Sequence, residues 1–131
     1  MAYQFDENAR YTQNDEWVRA EGDVVVCGIS DFAQDQLSDI VFVELPEVGQ
    51  SVNAGDAIAV VESVKAAADV FAPISGEVAS VNDFLEVTPE MVNDSPFGEA
   101  WLFKILPNDL SELDALMDME AYQAYVAERE E

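Results

Sequence analysis

Short apolar runs, rich in β-branched residues, fill this chain as far as Pro107, and beyond it the apolar spacing turns helical. Glu16-Trp17-Val18-Arg19-Ala20, the turn Glu21-Gly22-Asp23 and the run from Val24 to Ile29 predict a β-hairpin. Asp31-x-x-Gln34 has the form of a capping box opening one or two helical turns, with Phe32, Ala33 and Leu37 as apolar contacts. Ile40 to Leu45 predicts a buried strand stopped by Pro46. Gly49, Asn53-Ala54-Gly55-Asp56, Pro73 and Ser75-Gly76 then separate three β-rich runs at 57–61, 68–72 and 77–81. Thr88-Pro89-Glu90 predicts an N-cap, a first-turn proline and an acid for a brief helix through Val92. Ala100 to Leu106 predicts a further strand, closed by Pro107.

Leu110, Leu113, Leu116 and Met117, then Tyr122, Tyr125 and Val126, predict two short helices over about 110–128, the first capped by Ser111, packed on the β core. The acidic tail from Glu128 to Glu131 is expected to fray. No linker or low-complexity stretch divides the 131 residues, so one domain spanning 1–131 is expected. The fold class is mainly β, a small sandwich or barrel with short helices and a C-terminal helical segment.

Composition narrows the function classes. Half of the residues are apolar, enough for a core without disulfides or a metal. No run of about eighteen apolar residues exists to span a membrane. The start MAYQFDENAR lacks the basic and apolar regions of a signal peptide, so a cytoplasmic protein is expected. The one cysteine, Cys27, sits among Val24, Val25, Val26 and Ile29, which predicts a buried, inert thiol. With no histidine, no Gly-rich phosphate loop and no metal-ligand spacing, no catalytic residue and no metal site is expected. The sequence therefore points away from an enzyme.

Charge is extreme: 28 Asp and Glu stand against 5 Lys and Arg, a net charge of −23. Nucleic acid and anionic lipid are excluded as partners by repulsion. The acids are scattered through every segment, which favours adaptation to a molar-salt cytoplasm over mimicry of nucleic acid on one face. In this Lys-poor background only Lys65 and Lys104 survive.

Two apolar strands flank Ser63-Val64-Lys65-Ala66, the length of a tight turn, so Lys65 is placed at a hairpin tip. An ε-amine on a protruding tip with small neighbours, Ser63, Ala66 and Ala67, can attack an activated carboxylate and form an amide. The tethered group then gains effective concentration at successive active sites. An ordinary solvated turn lysine fits the same placement. Lys104, inside a predicted strand, is expected to snorkel as a packing residue.

Glu62-Ser63-Val64-Lys65-Ala66, with Ala72-Pro73-Ile74-Ser75-Gly76-Glu77-Val78 after it, resembles the lipoyl-lysine segment of the glycine cleavage system H-protein family. Further segments in order are similar to that family: 14–18, 28–34, 41–46, 92–101 and the closing helix around Tyr122. The resemblance covers about Tyr11 to Ala127. It implies a barrel-sandwich hybrid of the lipoyl/biotinyl-carrier type, with lipoic acid in amide linkage on Lys65 and Glu62, Ser63, Val64, Ala66 and Gly76 read by the attaching enzyme. It implies partners as well: the glycine-decarboxylating subunit, the aminomethyltransferase, dihydrolipoamide dehydrogenase, and a lipoate ligase or lipoyl transferase. Glu16 and Asp69, with Asn14 and Asp31, match the family's cleft for the aminomethyl-bearing arm.

Two departures stand out. Family members often carry histidines in the stretch where this chain has Phe32 and Gln36, and a glycine where it has Ser38. A biotin carrier usually flanks its lysine with methionine, and a 2-oxoacid dehydrogenase lipoyl domain places Asp before it; Val64 and Ala66 fit neither. An H-like protein relaying lipoate to other complexes would share fold and attachment, and an acidic interaction module without cofactor would need none.

Overall fold

A computed structural model of the chain describes residues 3–129. Strand β1 (Arg10–Tyr11) leads into β2 (Glu16–Glu21) and β3 (Val24–Ile29), and α1 (Asp31–Leu37) follows. β4 (Ile40–Glu44), β5 (Ser51–Val52), β6 (Ala57–Ser63), β7 (Ala67–Phe71) and β8 (Gly76–Val81) come next. The short helices α2 (Phe84–Val87) and α3 (Met91–Asp94) precede β9 (Phe103–Pro107), a 3-10 segment (Leu110–Ala115) and α4 (Met119–Arg129). One sheet has the strand order β1-β2-β3-β9-β8-β5, the other β4-β6-β7, and neighbouring strands are antiparallel. The mainly β architecture with small helices agrees with the sequence expectation.

The two sheets share a core of alternate inward residues. Val18, Val25, Cys27, Val78 and Ile105 from the larger sheet meet Val43, Val61 and Val70 from the smaller one, with Leu85 of α2 among them. Cys27 is fully buried, and desolvation pushes its thiol well above the ordinary cysteine range, so it is the inert hydrophobe expected. A second buried cluster joins Tyr11, Trp17, Phe32, Tyr122 and Val126 and seats α4 on the sheet. Tyr122 stacks on Tyr11 with ring centroids 4.3 Å apart, and burying such a ring contributes about 2–3 kcal/mol. Gly28 lies under Trp17, where any Cβ would come within 2.8 Å of the indole.

Several local expectations are corrected. The N-cap of α1 is Ser30, whose hydroxyl accepts the Ala33 N–H; Asp31 sits in the first turn and takes the Gln34 amide at 2.8 Å. β4 is half exposed instead of buried, because a bulge at Val41 breaks its alternation. Thr88 closes the unforeseen α2 by donating to the Phe84 carbonyl, so the next helix starts only at Met91. β9 starts at Phe103, not Ala100, since the Ala100 N–H folds back to the Ser95 carbonyl. Asp109, not Ser111, caps the 3-10 segment that replaces the first predicted helix.

The tail is ordered as far as the structure describes it. α4 runs through Glu128 and Arg129, where fraying was expected, and residues 130–131 lie outside the described residues. Among the described residues no helix is long and apolar enough to cross a membrane.

Candidate functional site

The β6–β7 register pairs Glu62 with Ala67, so Ser63 to Ala66 is the connecting turn. Its shape comes from Ser63. The Ser63 N–H donates to the Ala66 carbonyl at 2.7 Å, and the Ser63 hydroxyl accepts the N–H groups of Lys65 (3.2 Å) and Ala66 (3.0 Å). A serine side chain thus does what Gly, Asn or Pro does in commoner turns. The Val64 N–H donates to the Asp39 carbonyl at 3.1 Å, which ties the turn to the entry of β4. Glu62 stands opposite Phe42 in the β4–β6 ladder.

Val64, Lys65, Ala66 and Ala67 are exposed. Among the described residues the Lys65 side chain has no hydrogen-bond or ion-pair partner, while every other Lys and Arg side chain is engaged. Arg10 donates to the Leu116 carbonyl, Arg19 pairs with Asp6 and Glu21, and Arg129 pairs with Asp15. Lys104 is half-buried with Nζ 4.9 Å above the Trp101 ring, a packing residue as expected. Lys65 is thus a protruding amine with small neighbours, which suits acylation.

Gly76 has a packing role of its own. It is buried in β8 between Val52 and Pro107, and a Cβ there would fall 2.2 Å from the Leu106 carbonyl oxygen.

Of the four cleft candidates, Glu16 and Asn14 share a cavity, whereas Asp69 and Asp31 lie apart from it. Glu16 is buried (2% exposed) and lines a cavity of about 300 Å³ with Asn14, Tyr11, Thr12, Phe71 and Met117. Its carboxylate accepts the Thr12 hydroxyl at 2.6 Å and the Phe71 N–H at 2.9 Å. Burial raises its pKa above the ordinary value, and these two hydrogen bonds pull it partly back. Asp69 lines a separate cavity, also of about 300 Å³, beside Glu44 and Glu47. Asp31 accepts the Gln4 N–H and the Gln34 amide, so it fastens the N-terminal segment to α1.

Sequence reasoning missed Thr12 and Phe71, the two donors that make a buried Glu16 tolerable, because neither donor is distinctive in sequence. It also missed the network around Tyr122, whose phenol shares a 2.6 Å hydrogen bond with Ser30 and donates to Asp15 at 2.9 Å.

Comparison with known proteins gives a consistent result. A family model described as Glycine cleavage H-protein matches residues 9–129. The glycine cleavage system H protein of Thermus thermophilus is 56% identical over 113 residues, covering 86% of this chain and 88% of that protein. That of Shewanella loihica is 57% identical over 120 residues, covering 91% and 93%. The crystal structure of a glycine cleavage system H protein from Mycobacterium marinum superposes with a TM-score of 0.86 at 34% identity, covering 94% of this chain and 99% of that one.

Proposed function

The chain belongs to the glycine cleavage H-protein family and acts as a lipoyl carrier in glycine cleavage, and we propose that Lys65 is the residue that takes the lipoyl group. The observation that carries this reading is the exposed Lys65 side chain, the one cation without a partner among the described residues in a chain of 28 acids. An amine locked in an ion pair would have to be freed before acylation; this one is already free.

The residues present fit the group. Ser63 fixes the turn through its hydroxyl, and Ala66 and Ala67 leave the approach to Nζ unobstructed. Amide-linked there, lipoate supplies a cyclic disulfide as electron acceptor and attachment point for the one-carbon unit of glycine. The rigid β6–β7 ladder aims the tip, and tethering sets a high effective concentration at each active site. Glu16 and Asn14 would line a sheltered acidic recess, with Asp69 on the neighbouring surface and Asp31 acting through the N-terminal segment.

On this reading the chain is a non-catalytic carrier with one domain over 1–131, working in the cytoplasm. Its partners are the glycine-decarboxylating subunit, the aminomethyltransferase, dihydrolipoamide dehydrogenase and a lipoate ligase or lipoyl transferase. Intact-mass spectrometry of the chain made in cells with a working lipoylation route is expected to show one lipoyl adduct, absent from Lys65→Ala. An unmodified wild-type mass overturns the attachment reading. Glycine–bicarbonate exchange with the decarboxylating subunit tests the pathway, and a fully lipoylated chain that supports no exchange counts against it.

A further inference from the structure

Beside the Lys65 turn, the fold exposes large apolar side chains on three adjoining segments. In β4, Ile40 pairs with Ser63 and Phe42 with Glu62, so Val41 is an extra, bulged residue. The bulge breaks the in–out alternation and turns both Val41 and Phe42 toward solvent, with Phe42 49% exposed. Val64, next to Lys65, is 69% exposed and held against Asp39 by its N–H. α2 packs against β4, and its Phe84 and Val87, three positions apart on one helix face, are exposed, Val87 by 82%. The acids on these segments, Asp39, Glu44, Asp83 and Glu86, are exposed as well and edge the apolar face with negative charge.

Charge and reach together select the occupant. A second copy would set one acidic rim against another in a chain of net charge −23, so self-association is opposed. A partner with an apolar recess edged by Lys and Arg meets both features. Position selects further. An enzyme that acts on Nζ itself must bring its surface within one side-chain length of the Lys65 backbone, and so covers Val64. An enzyme that acts at the far end of the loaded arm needs no such contact.

We infer that the face formed by Val41, Phe42, Val64, Phe84 and Val87 is the docking surface for the acyl-transfer enzyme that lipoylates Lys65. The inference rests on Lys65 being the attachment residue. In the reaction served by this docking, uncharged Nζ attacks the carbonyl carbon of an acyl adenylate. The C–N amide bond forms as the C–O bond to phosphate breaks, AMP leaves, and the surplus proton on nitrogen passes to solvent.

The test incubates the full chain with purified lipoate ligase, lipoate and ATP, and reads acylation by intact mass. Val41→Thr/Phe42→Ser and, separately, Val87→Glu are each expected to raise the KM for the protein about tenfold and leave kcat within about twofold. The same changes on the unacylatable Lys65→Ala background are expected to weaken its binding to the ligase to a similar degree. Thermal unfolding checks that these exposed substitutions leave the fold intact, and Leu106→Ser, an exposed apolar position on the other sheet, serves as the unaffected control.

Wild-type KM and binding in both patch variants overturn the inference. Normal ligase kinetics with slowed turnover of the loaded arm by the other glycine cleavage enzymes overturn it in favour of one of those enzymes. A wild-type dimer that Val87→Glu dissolves in sedimentation overturns it in favour of a second copy. A wild-type chain that gains no mass overturns the attachment reading itself and this inference with it, and is recognised because the failure precedes any substitution.

Discussion

Arg129 grips Asp15 with two parallel hydrogen bonds of 2.6 and 2.8 Å, joining the last described residue to the turn before β2. Asp15 has φ 68°, a left-handed conformation that few non-glycine residues adopt, and its side chain also accepts the Tyr122 phenol. The guanidinium lies over the rings of Phe32 (4.7 Å) and Tyr125 (4.6 Å). A partly exposed bidentate pair adds at most about 1 kcal/mol and an exposed cation–π contact a similar amount. Arg129→Met is therefore expected to lower unfolding stability by about 1–2 kcal/mol in urea titrations at low salt. A loss near zero would mean that the helix end frays after all.

Ser38 is the second non-glycine residue with positive φ, at φ 71° and ψ −151°. That region is almost reserved for glycine, because a Cβ meets the neighbouring backbone there. Three hydrogen bonds hold the segment in place: the Ser38 N–H to the Gln34 carbonyl, and the Asn93 side chain to the Ser38 carbonyl and the Ile40 N–H. Ser38→Gly is expected to raise stability by about 1 kcal/mol, the relief of strain exceeding the added flexibility of the unfolded chain. Equal or lower stability of the glycine variant in the same titration would place the strain elsewhere.

The β2–β3 hairpin was legible because two β-rich runs meet at Gly22, whose positive φ suits the turn, without outside help. The Lys65 turn was legible from its length and the strands around it. What sequence did not convey depends on distant partners. The burial of Glu16 relies on a hydroxyl four residues back and an N–H fifty-five residues on. α2 contributes a single buried residue, Leu85, too little for a periodic signal, and the Val41 bulge arises from pairing with β6. The tail at Glu128 and Arg129 was expected to fray because the anchor for Arg129 lies at Asp15, at the other end of the chain.

Glu16 imposes a pH dependence whose sign follows from burial. Its pKa in the folded chain lies above the ordinary 4.5, so the folded chain holds that proton to higher pH than the unfolded one. Its contribution to stability is complete below about 4.5 and is lost as pH rises through the raised folded value. Glu16→Gln removes this loss while keeping a carbonyl to accept the Phe71 N–H. The stability difference between Gln and wild type is expected to move in favour of Gln as pH climbs from 4.5 to 7. Glu16→Ala strands the Phe71 N–H and the Thr12 hydroxyl and is expected to cost about 2–4 kcal/mol at either pH. A Gln–wild-type difference that is flat with pH would show that Glu16 is solvated in solution.

Net charge of −23 makes the whole fold salt-sensitive in the sense opposite to its ion pairs. Two like charges about 10 Å apart repel by about 0.4 kcal/mol in unscreened water, and each uncompensated acid has several such neighbours. At 0.1 M salt the screening length is about 10 Å and much of this survives; at 1 M it is about 3 Å and little does. Unfolding stability is therefore expected to climb by about 2–4 kcal/mol between 0.1 and 1 M KCl and then to level. The Asp15–Arg129 pair should behave the other way, its attraction screened over the same range, so the penalty of Arg129→Met is expected to shrink as KCl rises. Denaturant titrations of both chains at several KCl concentrations measure the two trends together. A wild-type stability indifferent to KCl would remove the case for salt adaptation, whereas a rise that continues linearly far above 1 M would assign it to ion exclusion from apolar surface instead of to charge.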